Sequence, residues 1–274
     1  EPHAGPGQVR VAVRAVAVNP WDCKVRQGGT MEVEFPYVGG SDVAGVVDEV
    51  GPGAATAVGD EVFGSAVAAG AAEYAVVEAF ARKPSDLSFE EAAGYVTACE
   101  TAVRAMDLVE VGRGTTLVIA GAAGGVGSAA VQIAIAEGAR VIGTASEGNH
   151  EYLRSLGAEP VTYGEGLVER VRALTDHVDA GLDTAGKGAV RDLITLTGKP
   201  KRVVTIADWG AEELGAHVAS SKTRSWHALA EAAGLFEQGR FTLPVAGTYR
   251  FEDAAEAHRR SEEGHVRGKL ILVP

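Results

Sequence analysis

Residues 115–137 read Thr-Thr-Leu-Val-Ile-Ala-Gly-Ala-Ala-Gly-Gly-Val-Gly-Ser-Ala-Ala-Val-Gln-Ile-Ala-Ile-Ala-Glu, and this stretch decides the fold. The apolar run Leu117–Ala120 suits a strand covered on both faces. Glycines at 121, 124, 125 and 127 let the backbone turn sharply, and a helix is expected to follow. A helix opening there offers unpaired N–H groups and the positive end of its dipole to an anion. Ala122, Gly124 and Gly127 fill the three slots of the G-x-G-x-x-G fingerprint, with Ala in the first, so the segment reads as a cradle for a dinucleotide pyrophosphate. A strand-turn-helix unit without ligand is the plain alternative. A membrane span is rejected, because Gln132, the glycines and the threonines fit a globular unit better than about 20 apolar residues crossing lipid.

Working outward, 274 residues with 46% hydrophobic content suffice for a large core and favour two lobes. The 25 basic and 37 acidic residues leave a net charge of -12, which opposes nucleic acid and anionic membrane surfaces and favours small-molecule work. Two cysteines, Cys23 and Cys99, cannot build a disulfide framework or a four-cysteine metal site. No charged-then-apolar signal segment opens the chain, and a cytoplasmic location is expected. It starts at Glu1-Pro2-His3 rather than Met, as a chain lacking an initial segment would.

Residues 8–18 alternate with period two, as do runs near 43–50 and 73–78, which predicts an irregular, mostly antiparallel β lobe. From about residue 97 the pattern changes. Strands are expected at 115–120, 140–145, 160–163, 178–183 and 202–207, each followed by a helical stretch, the pattern of an α/β doubly wound parallel Rossmann sheet. A helix is expected near 223–239. The predicted division is 98–239 for the dinucleotide-binding domain, and 1–97 with 240–274 for the β lobe. Ligands of such sheets bind at the carboxyl ends of the strands, and a cleft between the lobes is the expected place for chemistry.

The chain then shows Val18-Asn-Pro-Trp-Asp22 with Arg26 and Gly28, Pro36-Tyr-Val-Gly-Gly-Ser-Asp-Val-Ala-Gly-Val-Val47, Val58-Gly-Asp-Glu-Val-Phe63, Ala72-Glu-Tyr74, Phe89-Glu-Glu-Ala-Ala93, Gly121–Gly127, Leu156-Gly-Ala158 and Gly264-His-Val-Arg-Gly-Lys269. Together these resemble the zinc-independent branch of the medium-chain dehydrogenase/reductases, the quinone oxidoreductase group. The resemblance implies a GroES-like β lobe, hydride transfer from NADPH to a quinone or to the double bond of an α,β-unsaturated carbonyl, and a homodimer joined through the cofactor lobe. Zinc relatives carry a Cys ahead of the first aspartate and a Gly-His-Glu triplet. Here Asn19 and Gly40-Ser41-Asp42 stand instead, so no metal is predicted.

In NAD-specific sites an acidic residue near the end of the second strand accepts the ribose hydroxyls, about 20 residues after the glycines. Ala145 stands there, between Thr144 and Ser146, which offer hydroxyls to a 2′-phosphate, so NADP(H) is expected. Gly148 stands where relatives often have a cation. The resemblance adds Tyr163 against the same phosphate, and Arg267 is a candidate for the cation; Tyr163 as a packing residue at a strand end is the alternative.

For the chemistry, the resemblance sets Asn19 near nicotinamide and substrate, with a turn residue before Pro20 as its alternative, Thr101 on the carboxamide side, and Asp183-Thr-Ala-Gly186 with Ile206-Ala207 around the nicotinamide. Gly121, Ala122, Ala123, Gly124, Gly125, Val126 and Gly127 hold the pyrophosphate. Lys24 resembles the lysine of enone reductases and is a candidate donor to the substrate carbonyl; a solvated surface lysine is the alternative. Asp22 and Arg26, four apart, suit an ion pair on a helix. Trp21, Tyr37 and Phe63 are candidate walls for a planar apolar substrate, with the core as their alternative. Loops 28–36 and 64–72 are expected to shape the pocket. An enoyl-thioester reductase and a non-catalytic NADPH-binding sensor or structural protein are the competing readings.

Overall fold

The computed structural model describes residues 1–28, 33–34, 36–220 and 223–274; most of the loop 28–36 therefore lies outside the described residues. Two compact units are present, Glu1–Thr97 with Trp226–Pro274, and Ala98–Ser225. In chain order come strand β1 (Val9–Val18), helix α1 (Pro20–Arg26), strands β2 (Asp42–Val50), β3 (Glu61–Ala66) and β4 (Tyr74–Arg82), and helix α2 (Phe89–Leu108). Next are β5 (Thr116–Ala120), α3 (Gly125–Ala136), β6 (Arg140–Thr144), α4 (His150–Ser155), β7 (Glu159–Val161), α5 (Leu167–Arg172), β8 (Ala180–Asp183), α6 (Val190–Thr197), β9 (Val203–Thr205) and β10 (His217–Val218). Helix α7 (His227–Glu237), β11 (Val245–Arg250), α8 (Ala254–Glu263) and β12 (Lys269–Val273) complete the chain.

Val9, Val11 and Val13 of β1 are buried while Arg14 is exposed, as period-two alternation demands. Its second half, Ala15–Val18, is buried throughout and lies between β12 and β2. The sheet runs β11-β12-β1-β2-β3-β4, and β4 pairs back onto β1. All its ladders are antiparallel except β11 with β12. Strand β3 escaped the periodicity reading, since Gly64 interrupts a short run. The helix expected near 223–239 is α7, and it groups with this unit rather than with the dinucleotide-binding one. Tyr95 accounts for that grouping, packing edge-on against Phe63, Phe236 and Phe241 at 6.3, 6.5 and 4.8 Å between ring centroids.

The second unit is built on an all-parallel sheet in the order β10-β9-β8-β5-β6-β7. The chain moves outward from β5 through β6 to β7, then crosses to β8 on the other side. The strand order therefore reverses between β5 and β8, where such sheets bind ligands. Ala120 and Asp183 are register partners at that point, which sets the glycine turn beside the segment after β8. Val118, Ala120, Ile142, Leu182 and Val203 are fully or almost fully buried, in keeping with strands covered on both faces.

Candidate functional site

Gly121 ends β5 with φ at +79°, a conformation that favours glycine. Its N–H donates to Thr144 Oγ1 at 3.1 Å and the Ala122 N–H to the Thr144 carbonyl at 3.0 Å, fastening the turn to β6. The Thr184 hydroxyl reaches the carbonyls of Ala120 and Gly121 at 2.8 and 3.1 Å, fastening it to β8 as well. A Cβ on Gly127 would lie 2.3 Å from the Gly121 carbonyl oxygen, so only glycine lets α3 start this close to the turn. Gly124 is the N-cap of α3 and provides no side-chain cap, while a Cβ there would meet nothing nearer than the Gly121 oxygen at 3.5 Å. Ala123, Gly124, Gly125 and Val126 are only half-buried. Small residues, a tightly tied turn and uncapped amides on a 12-residue helix fit a dinucleotide pyrophosphate.

Beyond β6 the candidates separate. Thr144 is 1% exposed and its side chain braces the turn rather than facing outward. Ser146 is exposed and accepts from Asn149 Nδ2 at 3.2 Å. Thr144 and Val161 are register partners, so Ser146 and Tyr163 each stand two residues past the same level on adjacent strands. Tyr163 is 59% exposed, which disfavours the packing alternative. Its turn is held by a residue that sequence reasoning missed. The Arg170 guanidinium donates to the carbonyls of Thr162, Tyr163, Gly164 and Glu165 at 2.8–3.3 Å. The flanking Gly164 and Gly166, with φ of +85° and +77°, were the available signal of a constrained turn. Arg267 is exposed and belongs to the first unit.

At the ends of β8 and β9, Asp183 is fully buried. Its Oδ1 accepts the N–H groups of Ala185 and Gly186 at 3.0 and 3.1 Å, and its Oδ2 the Thr205 hydroxyl at 2.8 Å. Thr205 Oγ1 in turn accepts the N–H groups of Ala207 and Asp208, and the Ile206 N–H donates to the Asp183 carbonyl. A Cβ on Gly186 would lie 2.9 Å from Ala207 Cβ, which packs the two segments against each other. Thr101, in α2, donates to Glu100 and accepts from Arg104, both at 3.3 Å. Burial pushes the Glu100 carboxyl up, but hydrogen bonds and charges from Arg104, Ser225 and Arg224 outweigh it and leave the carboxyl below its usual range. Arg104 also donates to the carbonyls of Ala219 and Ser220, so this cluster anchors the segment after β10.

The first unit gathers a second set. Asn19, Asp42 and Lys269 are all nearly inaccessible, at 5%, 1% and 6% exposure. Asn19 Nδ2 donates to Asp42 Oδ2 at 2.9 Å, and Lys269 Nζ donates to Asn19 Oδ1. Asp42 also accepts the N–H and hydroxyl of Thr97 at 3.0 and 2.6 Å and the Ser41 hydroxyl at 3.1 Å. Asp22 caps α1 by accepting the Asn19 N–H at 2.7 Å; burial pushes its carboxyl up to about 6, with Asp42 adding and Lys269 opposing. The expected Asp22–Arg26 pair is not formed, because α8 lies against α1 and offers Glu262 to Arg26. Lys24 is exposed and has no polar partner among the described residues. Trp21 and Tyr37 are half-exposed, and Tyr37 lines a cavity of about 210 Å³ together with Val18, Asp22, Gly40 and His258. Phe63 is core rather than a wall, covered by Tyr95.

Among the described residues no group of three or more His, Cys, Asp or Glu is arranged to hold a metal ion, and no helix is long and apolar enough to cross a membrane.

An oxidoreductase built from a GroES-like lobe and a dinucleotide-binding sheet is what these features define, and comparison with known proteins agrees. The alcohol dehydrogenase GroES-like domain family matches residues 5–178, and the zinc-binding dehydrogenase family matches residues 156–272. The chain is 31% identical to the NADPH-dependent alkenal/one oxidoreductase, chloroplastic, of Arabidopsis thaliana over 97% of its own length and 72% of that protein. It is 33% identical to the pikromycin polyketide synthase component PikAII of Streptomyces venezuelae over 98% of its length, and there it spans only 8% of the longer protein. Among solved structures, the quinone oxidoreductase from Coxiella burnetii superposes with a TM-score of 0.86 at 29% identity, covering 100% of this chain and 92% of that one. The chain belongs to the medium-chain dehydrogenase/reductase family, in its quinone and enone oxidoreductase branch.

Proposed function

We propose that the protein is an NADPH-dependent oxidoreductase that transfers a hydride, without zinc, to quinones or to the C=C bond of α,β-unsaturated carbonyls. The observation that carries this reading is the uncapped glycine turn at the β5/β8 switch point, followed beyond β6 by Ala145 and Ser146 instead of a carboxylate. When bound, the nicotinamide supplies a hydride; the chain's residues bind and orient. The α3 amides hold the pyrophosphate, and the hydroxyls of Ser146 and Tyr163 receive the 2′-phosphate, with Arg267 as the proposed cation. The segment Asp183–Gly186 and Ile206-Ala207, stiffened by the Asp183–Thr205 bond, is the nicotinamide wall, and Thr101 serves its carboxamide side.

Asn19 is the proposed donor to the substrate's carbonyl oxygen, with exposed Lys24 as its alternative. In enone reduction the β-carbon accepts the hydride, charge gathers on the carbonyl oxygen as an enolate, and water protonates the α-carbon. A donor aimed at that oxygen lowers the barrier by stabilising charge as it develops. The zinc-free reading is supported by the Asn19 surroundings: a buried ammonium beside its Oδ1 repels a dication, and Asn, Ser and Asp are not the usual N/S ligand set. The resemblance further supports a small apolar substrate and a homodimer.

An enoyl-thioester reductase is the second reading, favoured by the polyketide synthase similarity across 98% of the chain. One assay separates the two: NADPH oxidation against quinones, short enals, enones and enoyl thioesters. Turnover of quinones or enones is expected. Turnover confined to thioesters supports the second reading, and NADPH binding without any turnover overturns both.

A further inference from the structure

Asn19, Asp42 and Lys269 are all nearly inaccessible, and together they form one buried chain of hydrogen bonds. We propose that Lys269 is a positioning residue that locks the Asn19 carboxamide, with one Nδ2 hydrogen on Asp42 and the other left to the substrate's carbonyl oxygen. The inference rests on the proposed role of Asn19.

The lock follows from the partners' chemistry. An ammonium only donates and an ionised carboxylate only accepts, so the orientation with Oδ1 on Lys269 and Nδ2 on Asp42 alone satisfies both. Asp42 cannot swing away, because Thr97 and Ser41 fill its remaining acceptor sites. Nδ2 carries two hydrogens and one is used by Asp42. The cation on Oδ1 draws charge through the amide and makes the remaining N–H a stronger donor, as chained hydrogen bonds polarise one another. The site is built to take a lysine. Gly94 lies inside α2, where glycine costs stability, and a Cβ there would stand 3.2 Å from Lys269 Cγ, so its bareness makes room for the stem. Burying an ammonium also costs stability, which a purely structural position would avoid with an apolar side chain.

The test compares Lys269→Gln, which keeps a donor and removes the charge, with Asn19→Ala and the double variant. On an enone or quinone turned over by the wild type, Lys269→Gln is expected to lower kcat about 10-fold or more, with KM and NADPH affinity within about twofold. In the Asn19→Ala background the same change is expected to have no further effect, since the lysine acts through Asn19. An unchanged kcat in Lys269→Gln, or a loss that recurs fully without Asn19, overturns the proposal. Side-chain amide NMR decides it independently of turnover. The Asn19 Nδ2 protons, identified by their loss in Asn19→Ala, should be resolved and slow to exchange in wild type and exchange-broadened in Lys269→Gln. Identical signals in both overturn the proposal. A wild type that binds NADPH but reduces nothing in the panel contradicts the proposed function, and the NMR result still decides the lock.

Discussion

The Asp183 carboxylate receives the Thr205 hydroxyl at 2.8 Å, tying the ends of two adjacent parallel strands at the level where the nicotinamide wall is proposed. Removing it strands the Thr205 hydroxyl in a buried place and releases the N–H groups of Ala185 and Gly186, which belong to exposed residues. Asp183→Ala should therefore cost about 3 kcal/mol of stability, read as a lower urea midpoint. NADPH and NADH affinities should both fall, by similar factors, because the nicotinamide end is common to them.

The glycine turn gives a paired prediction. Gly127→Ala puts a methyl 2.3 Å from the Gly121 oxygen and should destabilise by about 1–3 kcal/mol while weakening the cofactor. Gly124→Ala meets only ordinary contact at 3.5 Å, so stability should change little. The methyl would still stand before the uncapped amides, and NADPH affinity is expected to fall at least 10-fold. Fluorescence titration of NADPH beside thermal melts checks both.

Arg170 holds the carbonyls of residues 162–165 and thereby the turn that presents Tyr163. Arg170→Met should raise the Kd for NADPH several-fold and leave that for NADH nearly unchanged. Equal losses for both cofactors would break the link between this turn and the 2′-phosphate.

Asp22 makes stability depend on pH in an unusual direction. Its carboxyl is raised by burial to about 6 in the folded protein against 3.8 unfolded, so between those values the folded state holds a proton the unfolded state has released. This contribution lowers stability as pH rises from 4 to 6 and stays constant above. Asp22→Asn retains an acceptor for the Asn19 N–H and removes the penalty. Relative to wild type, the variant should gain about 1–2 kcal/mol at pH 7.5, and the gain should shrink towards pH 4.5. A gap independent of pH in urea titrations would contradict the assignment.

The second unit was legible because its signals are local. Apolar runs followed by glycine turns specify parallel strands one βα unit at a time, so β5 to β9 could be read from the chain. Strand β10, only two residues long, left no periodicity to find. The first unit was harder, since β3 is short and its pairing with β2 and β4 is a tertiary matter. Site residues divide the same way. The turn 121–127 was readable as a motif, whereas Thr144, expected to offer its hydroxyl to the phosphate, is buried and its oxygen accepts the Gly121 N–H. The grip of Lys269 on Asn19 spans 250 residues, and no spacing rule could reveal it. Arg26 found Glu262 in place of Asp22 because α8 packs on α1, a neighbour absent from the local sequence.

The central claim is hydride delivery from NADPH to the β-carbon of an activated alkene. NADPH bearing deuterium at both positions of nicotinamide C4, supplied to the enzyme with a simple enone in ordinary water, tests it most directly. One deuterium is expected at the β-carbon of the saturated ketone and solvent hydrogen at the α-carbon. Deuterium on the carbonyl carbon of an allylic alcohol, or unlabelled saturated product, would contradict it.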